Sequence, residues 1–164
     1  MTIVVMKKKP FAKWTSYPLG FFEKIEEKTA VILILNPDAE HPPINAERHL
    51  ILSFWDRTNL NFRERVLVRL FGNRPDVCVR LQRILMGDNS GWPWRPPLAD
   101  DARRIKEFVD SVPEDWSFIV LCEYGRSRSR AVAEWIVARR KIEADGFRGA
   151  GRPNAILEKL LSQQ

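Results

Sequence analysis

Of the two cysteines in the chain, Cys122 stands where residue types and spacing can do chemistry. The apolar run Phe118-Ile-Val-Leu121 stops at it. A polar, arginine-rich turn follows, Glu123-Tyr124-Gly125-Arg126-Ser127-Arg128, and an alanine-rich helical pattern begins at Ser129. A strand, a tight turn and a helix in that order make an anion site. The turn's backbone N–H groups can curl around an oxyanion, and the helix N-terminus adds partial positive charge. Gly125 supplies the backbone freedom such a turn needs. Arg128 can offer a planar fork to two oxygens of one phosphate. A sulfur at the mouth of this nest sits in positive potential, the setting in which cysteine acts as a nucleophile. Ser129 can donate a hydrogen bond to that sulfur.

Other features are weighed against this junction. Three arginines, Arg126, Arg128 and Arg130, lie within five residues. Their burial would need an anion, whereas Arg130 can pair with Glu134, four residues on along a helix. Arg126 is open between substrate contact and solvent. Cys78, between Val77 and Val79, has neither a glycine turn nor an arginine fork nearby and reads as packing. His41 and His49 are the only histidines, and no cysteine pair has zinc-type spacing, so the inventory offers no obvious metal set.

The elements that must position Cys122 are legible as patterns. Thr29 to Asn36 is continuously apolar and ends at Asn36-Pro37-Asp38, as a strand covered on both faces would. His49 to Asp56 reads similarly, as does Ser117 to Leu121. Thr2 to Met6 is a short β-branched run, expected at an outer position. Helices are expected over Ala99 to Val112, with acidic Asp100 and Asp101 in the first turn, and over Ser129 to Ile142. Another is expected over Pro153 to Leu161, with proline in its first turn. Phe62 to Phe71 and Val77 to Leu85 also have helical spacing, divided by Gly72-Asn73-Arg74-Pro75. The Gly-, Pro- and Trp-rich stretch from Gly87 to Pro97 reads as a loop. Its Trp92 and Trp94 plug a core edge or line the site, and Lys7 to Lys9, with Lys13 and Trp14, read as a solvated terminus. Strands separated by long connections predict an α/β fold. Its centre would be a mainly parallel sheet of four or five strands flanked by helices, with the phosphate loop between a strand and a helix. No internal boundary appears, so residues 1–164 are expected to form one domain.

Cys122-Glu-Tyr-Gly-Arg-Ser-Arg128-Ser129 resembles the signature of the protein tyrosine phosphatase superfamily: a cysteine, five residues, an arginine, then serine or threonine. The likeness is to its compact bacterial and phage dual-specificity-like branch. The flanks agree, with an apolar strand before the loop, Ala131-Val-Ala-Glu134 after it, and a Pro-Asn segment, Arg152-Pro-Asn-Ala-Ile-Leu157, near the end. The likeness extends over residues 98–161 and, as pattern only, over 29–56.

This resemblance implies a phosphatase-like fold and a phosphoric monoester hydrolase working through a cysteinyl-phosphate, with no cofactor and no metal. Cys122 would be the nucleophile. Arg128 would bind phosphate, with Glu123, Tyr124, Gly125, Arg126, Ser127 and Ser129 completing the substrate loop. Leu50-Ile-Leu-Ser-Phe-Trp-Asp56 resembles the Phe-x-Asp strand end that carries the family's general acid, which points to Asp56. Asp88 is the rival, and capping of a turn with Asn59 is the structural alternative for Asp56. The implied partner is a phosphorylated protein or small molecule, and a phosphate or sulfate ion suits the loop.

One position departs from the family. A histidine normally precedes the cysteine and helps order the loop, and here Leu121, which cannot donate a hydrogen bond, takes its place. A catalytically weak or inactive module holding a phosphorylated or polyanionic partner, such as nucleic acid or an inositol phosphate, is therefore the alternative. The net charge of +6 suits any of these anions, and also a basic nucleic-acid binder with a coincidental motif. Rhodanese-like sulfur transfer shares the cysteine-led loop, but the arginine and serine at positions 128 and 129 count against it. The N-terminus lacks the charge order of a signal peptide, and no apolar run approaches the roughly 18 residues of a membrane span. A soluble, cytoplasmic setting is expected.

Overall fold

The computed structural model describes residues 2–7, 25, 27–37, 39, 43–56, 62–71, 74, 77, 80–81, 84, 96–122, 127–145 and 152–163. It is α/β. Five strands, β1 (Thr2–Lys7), β2 (Thr29–Leu35), β3 (Arg48–Ser53), β4 (Ser117–Cys122) and β5 (Glu143–Asp145), form one sheet in the order β3-β2-β4-β1-β5. Every adjacent pair is parallel. Among the described residues, four helices with defined bounds accompany them: α1 (Phe62–Phe71), α2 (Ala99–Ser111), α3 (Arg128–Arg140) and α4 (Ala155–Ser162). Among the described residues no helix is long and apolar enough to cross a membrane.

The continuous apolar run of β2 has its expected cause, since all seven of its residues are buried. Alternate side chains go to opposite faces. Ala30, Ile32 and Ile34 join Phe118, Val120 and Cys122 of β4 in the main core. Leu33 and Leu35 join Leu121 on the other face, with Ile25, Ala39, Ile44, Ile51 and Ile119 around them. Helix α2 adds Ala102, Ile105 and Val109 to the main core, α3 adds Ala131, Val132, Ala133 and Ile136, and α4 adds Leu157 and Leu161. These three helices thus share one face of the sheet, where α4 packs against both α2 and α3. Helix α1 lies apart. Leu67 and Phe71 pack with Leu98 and Leu81, while Phe62, Val66 and Leu70 face outward.

Three expectations need correction. Thr2 to Lys7 is not an outer strand: β1 lies between β4 and the short β5, whose three residues, two of them acidic, gave no strand signal. The run ending at Asp56 is not covered on both faces. β3 is an edge strand, mostly half-buried, and it stops at Ser53, leaving Phe54 to Asp56 beyond the sheet. Pro153 is not in the first turn of the last helix, because Asn154 is the N-cap and the helix starts at Ala155. Val77, Arg80, Leu81 and Ile84 are helical as expected, whereas Cys78, Asp88, Trp92, Trp94, Lys8, Lys9, Lys13 and Trp14 lie outside the described residues.

The ends of α2 and α3 are held by specific polar contacts. Asp101, in the first turn of α2, is fully buried, and its Oδ2 accepts the backbone N–H of Leu98 at 2.9 Å. That contact meets one of the donors a helix start leaves open. At the other end, Arg140 of α3 donates to the carbonyls of Val109 and Val112, neutralising the negative end of α2. Helix α3 ends on Lys141 at φ 53°, in the left-handed region that favours glycine.

Two stability predictions follow from these ends. Asp101→Ala should cost about 1–3 kcal/mol, the price of stranding a buried N–H together with a lost cap. A urea midpoint that does not move would show the contact to be idle. Lys141→Gly should instead add about 0.5–1 kcal/mol by removing the Cβ conflict at positive φ, and a fall in midpoint would contradict that account.

Candidate functional site

The sheet topology creates the site before any side chain is considered. From β2 the chain goes to β3 on one side, and from β4 it passes through α3 to β5 on the other. The carboxyl ends of these adjacent strands therefore send the chain in opposite directions, and ligands in open α/β sheets bind at such a switch point. Cys122 is the last residue of β4 and is paired in register with Ile34, one residue short of the end of β2.

Cys122 is buried, at 2% exposure, and its Sγ lies 3.1 Å from Ser129 Oγ. The thiol donates in this contact. The hydroxyl can donate to sulfur instead once the thiol proton has left. Ser129 is itself fully buried in the first turn of α3. The sequence separates the two residues by seven positions, and the fold brings them into contact.

Arg128 is also fully buried and is among the largest side chains in that state. Its Nη1 donates to Leu35 O at 3.1 Å and to Phe54 O at 2.5 Å. Leu35 O also accepts Phe54 N–H, at 3.0 Å. The guanidinium thus lies at the carboxyl ends of β2 and β3, on the same edge as the Cys122 sulfur. The fork expected to grip phosphate is engaged at Nη1 with main-chain carbonyls. Arg128 is consequently a structural cation as well as a candidate phosphate ligand.

Ser127 precedes α3 at the N-cap position, yet its side chain makes no capping bond. Its Oγ is buried and has no hydrogen-bond partner among the described residues. An N-cap serine normally accepts a first-turn N–H. A helix start without that bond, with a buried hydroxyl that has no partner among the described residues, is a polar surface that an oxyanion would satisfy. Glu123, Tyr124, Gly125 and Arg126, the rest of the expected loop, lie outside the described residues. Arg130 forms the ion pair expected along the helix, Nε to Glu134 Oε1 at 2.7 Å.

Asp56, just past β3, is half-buried. Its Oδ1 accepts Nδ2 of Asn154 at 2.9 Å, and the backbone N–H of Asn154 donates to Ser127 O at 3.1 Å. Two hydrogen bonds through Asn154 therefore connect Asp56 to the residue before Arg128. Asn59, the turn partner considered from the sequence, lies outside the described residues.

Asn154 is the site residue that sequence reasoning did not single out. The signal was present, because asparagine is a preferred N-cap and stands directly before the apolar Ala155-Ile-Leu157 pattern. Its second role depends on β3 and α4 meeting in space, which local sequence does not encode.

Removing the Arg128 side chain should perturb folding as well as any anion site. Arg128→Ala leaves Phe54 O without this donor and opens a large cavity, so we expect a loss of about 3 kcal/mol or more. Arg128→Lys, which keeps a charge and a donor, should lose less. Equal midpoints for wild type and Arg128→Ala would contradict the structural role. No protein-family model, curated protein or solved structure matches the chain.

Proposed function

We propose that this protein is a cysteine-dependent phosphatase of the protein-tyrosine-phosphatase type, hydrolysing a phosphate monoester. The observation that carries the proposal is the Cys122–Ser129 contact of 3.1 Å at the carboxyl edge of a parallel sheet, with the buried Arg128 guanidinium on that same edge. The helix start at Ser127 and its buried hydroxyl supply further anion-directed groups. This combination supports nucleophilic substitution at phosphorus better than passive burial of a small cysteine, which would leave the helix start at Ser127, without its side-chain cap, unexplained.

In the proposed reaction, the Cys122 thiolate attacks phosphorus. The bond from phosphorus to the ester oxygen breaks, and Asp56 gives that oxygen its proton. Ionised Asp56 then takes a proton from water as the water attacks the cysteinyl-phosphate. The sulfur leaves as thiolate, and inorganic phosphate is released. Ser129 donates to the sulfur when it carries charge. Arg128, the start of α3 and the amides of the 123–127 turn bind the phosphoryl oxygens. The substrate is a phosphorylated protein or small molecule.

A specific observation favours a second reading, phosphate binding without turnover. Leu121, where the family's histidine would stand, is fully buried in an apolar cluster with Leu33 and Leu35. That cluster provides no hydrogen bond to order the loop.

Hydrolysis of p-nitrophenyl phosphate by the wild type and by Cys122→Ser, in the presence of a chelator, separates the readings. A phosphatase loses activity by at least about a thousandfold on Cys122→Ser. Absent hydrolysis with retained tungstate binding identifies the binding module. Failure of both, with salt-sensitive nucleic-acid binding in their place, sinks the phosphate site altogether.

A further inference from the structure

We propose that Asn154 is a positioning residue for Asp56, fixing which carboxyl oxygen delivers the proton to the leaving group. The inference rests on the phosphatase reading above. Asn154 is fully buried, and each end of its side-chain amide is engaged. Oδ1 accepts the backbone N–H of Leu157 at 3.0 Å, and Nδ2 donates to Asp56 Oδ1 at 2.9 Å. Its main chain is held as well, with N–H donating to Ser127 O at 3.1 Å and the carbonyl accepting Glu158 N–H at 2.9 Å.

The helix cap determines the amide's orientation. A flipped amide would set its NH2 against the Leu157 N–H and its oxygen against the Asp56 carboxylate, two repulsive contacts in place of two bonds. The NH2 group therefore faces Asp56. Oδ1 of Asp56 receives that donor, so the transferable proton belongs on Oδ2. In the first step the Oδ2–H bond breaks as the ester oxygen departs with the proton. In the second, the water's proton returns to Oδ2.

Capping alone does not require an amide. Serine or aspartate caps a helix about as well, through a single acceptor oxygen. Asparagine caps with one atom and donates with the other. Asn154 also couples the acid to the nucleophile's turn through Ser127 O, and misplacement of a catalytic group by about 1 Å can cost a hundredfold.

The test uses two substrates that differ in their need for an acid. Phenyl phosphate has a poor leaving group, whereas 2,4-dinitrophenyl phosphate has one that departs without protonation. The readout is the ratio of kcat/KM for the first to kcat/KM for the second, in which the hydrolysis of the cysteinyl-phosphate common to both substrates does not enter. Asn154→Ser retains a capping oxygen but falls short of Asp56, and Asn154→Asp caps without a donor. Each should lower the ratio by roughly 10- to 100-fold. Asp56→Asn should lower it at least as far, and adding Asn154→Ser to Asp56→Asn should lower it no further. A ratio that drops in Asp56→Asn but holds in both Asn154 variants overturns the positioning role and leaves the phosphatase reading intact. A ratio unchanged in Asp56→Asn removes Asp56 as the acid and this inference with it. Absence of aryl phosphate hydrolysis by the wild type overturns both.

Discussion

A guanidinium withdrawn from water lies where β2 and β3 end, and much of the candidate site is arranged around it. Arg128 Nη1 bonds the carbonyls of Leu35 and Phe54, one at the end of each strand's hydrogen-bonded run. These carbonyls are acceptors that the sheet no longer uses fully. An arginine reaching from the first turn of α3 to that edge ties helix, sheet and the segment leading to Asp56 into one unit. Burying such a charge costs several kcal/mol unless dipoles or counter-charges offset it. The carbonyls supply part of the offset, and an anion at the adjacent helix start would supply more.

Around that cation, three short connections hold the chemistry-bearing groups in place. Ser129 fixes the sulfur from the first turn of α3. Asn154 holds Asp56 from the start of α4. The contact of Asn154 N–H with Ser127 O joins α4 to the start of α3. Each connection comes from a helix packed on the same face of the sheet or from its N-cap, and that packing is hydrophobic. Val132 and Ile136 of α3 and Leu157 and Leu161 of α4 share the core with Ile32, Ile34 and Phe118. Apolar burial thus sets the helix positions, and the polar contacts refine them at the sheet edge.

The parts legible in the sequence were those governed by local pattern. The seven residues of β2, six of them apolar, are buried on both faces, and the spacing of Ile105, Val109 and Val112 marks the inner side of α2. Asp100 and Asp101 marked a helix start for an electrostatic reason, and Asp101 proved to cap it. The Arg130–Glu134 pair followed from a four-residue offset. Less legible was the role of β3. Its continuous apolar run, Leu50-Ile-Leu52, looked like that of an interior strand, but edge and interior strands differ in what lies beside them rather than in their own residues. β5 was invisible, because Glu143-Ala-Asp145 has no apolar pattern and becomes a strand only by pairing with β1.

By itself, the sequence determined an apolar strand running into Cys122, a helix opening near Ser129 and a mainly parallel α/β architecture around them. Backbone propensity and hydrophobic period act over a few residues, and those features need no more than that range. Tertiary structure alone decided that Arg128 would bond Leu35 and Phe54, 93 and 74 positions away, and that Asn154 would reach Asp56 across 98. Contacts at such separations depend on how sheet and helices pack, because a side chain finds its partner only after the hydrophobic layers have brought distant strand ends and helix starts to one edge.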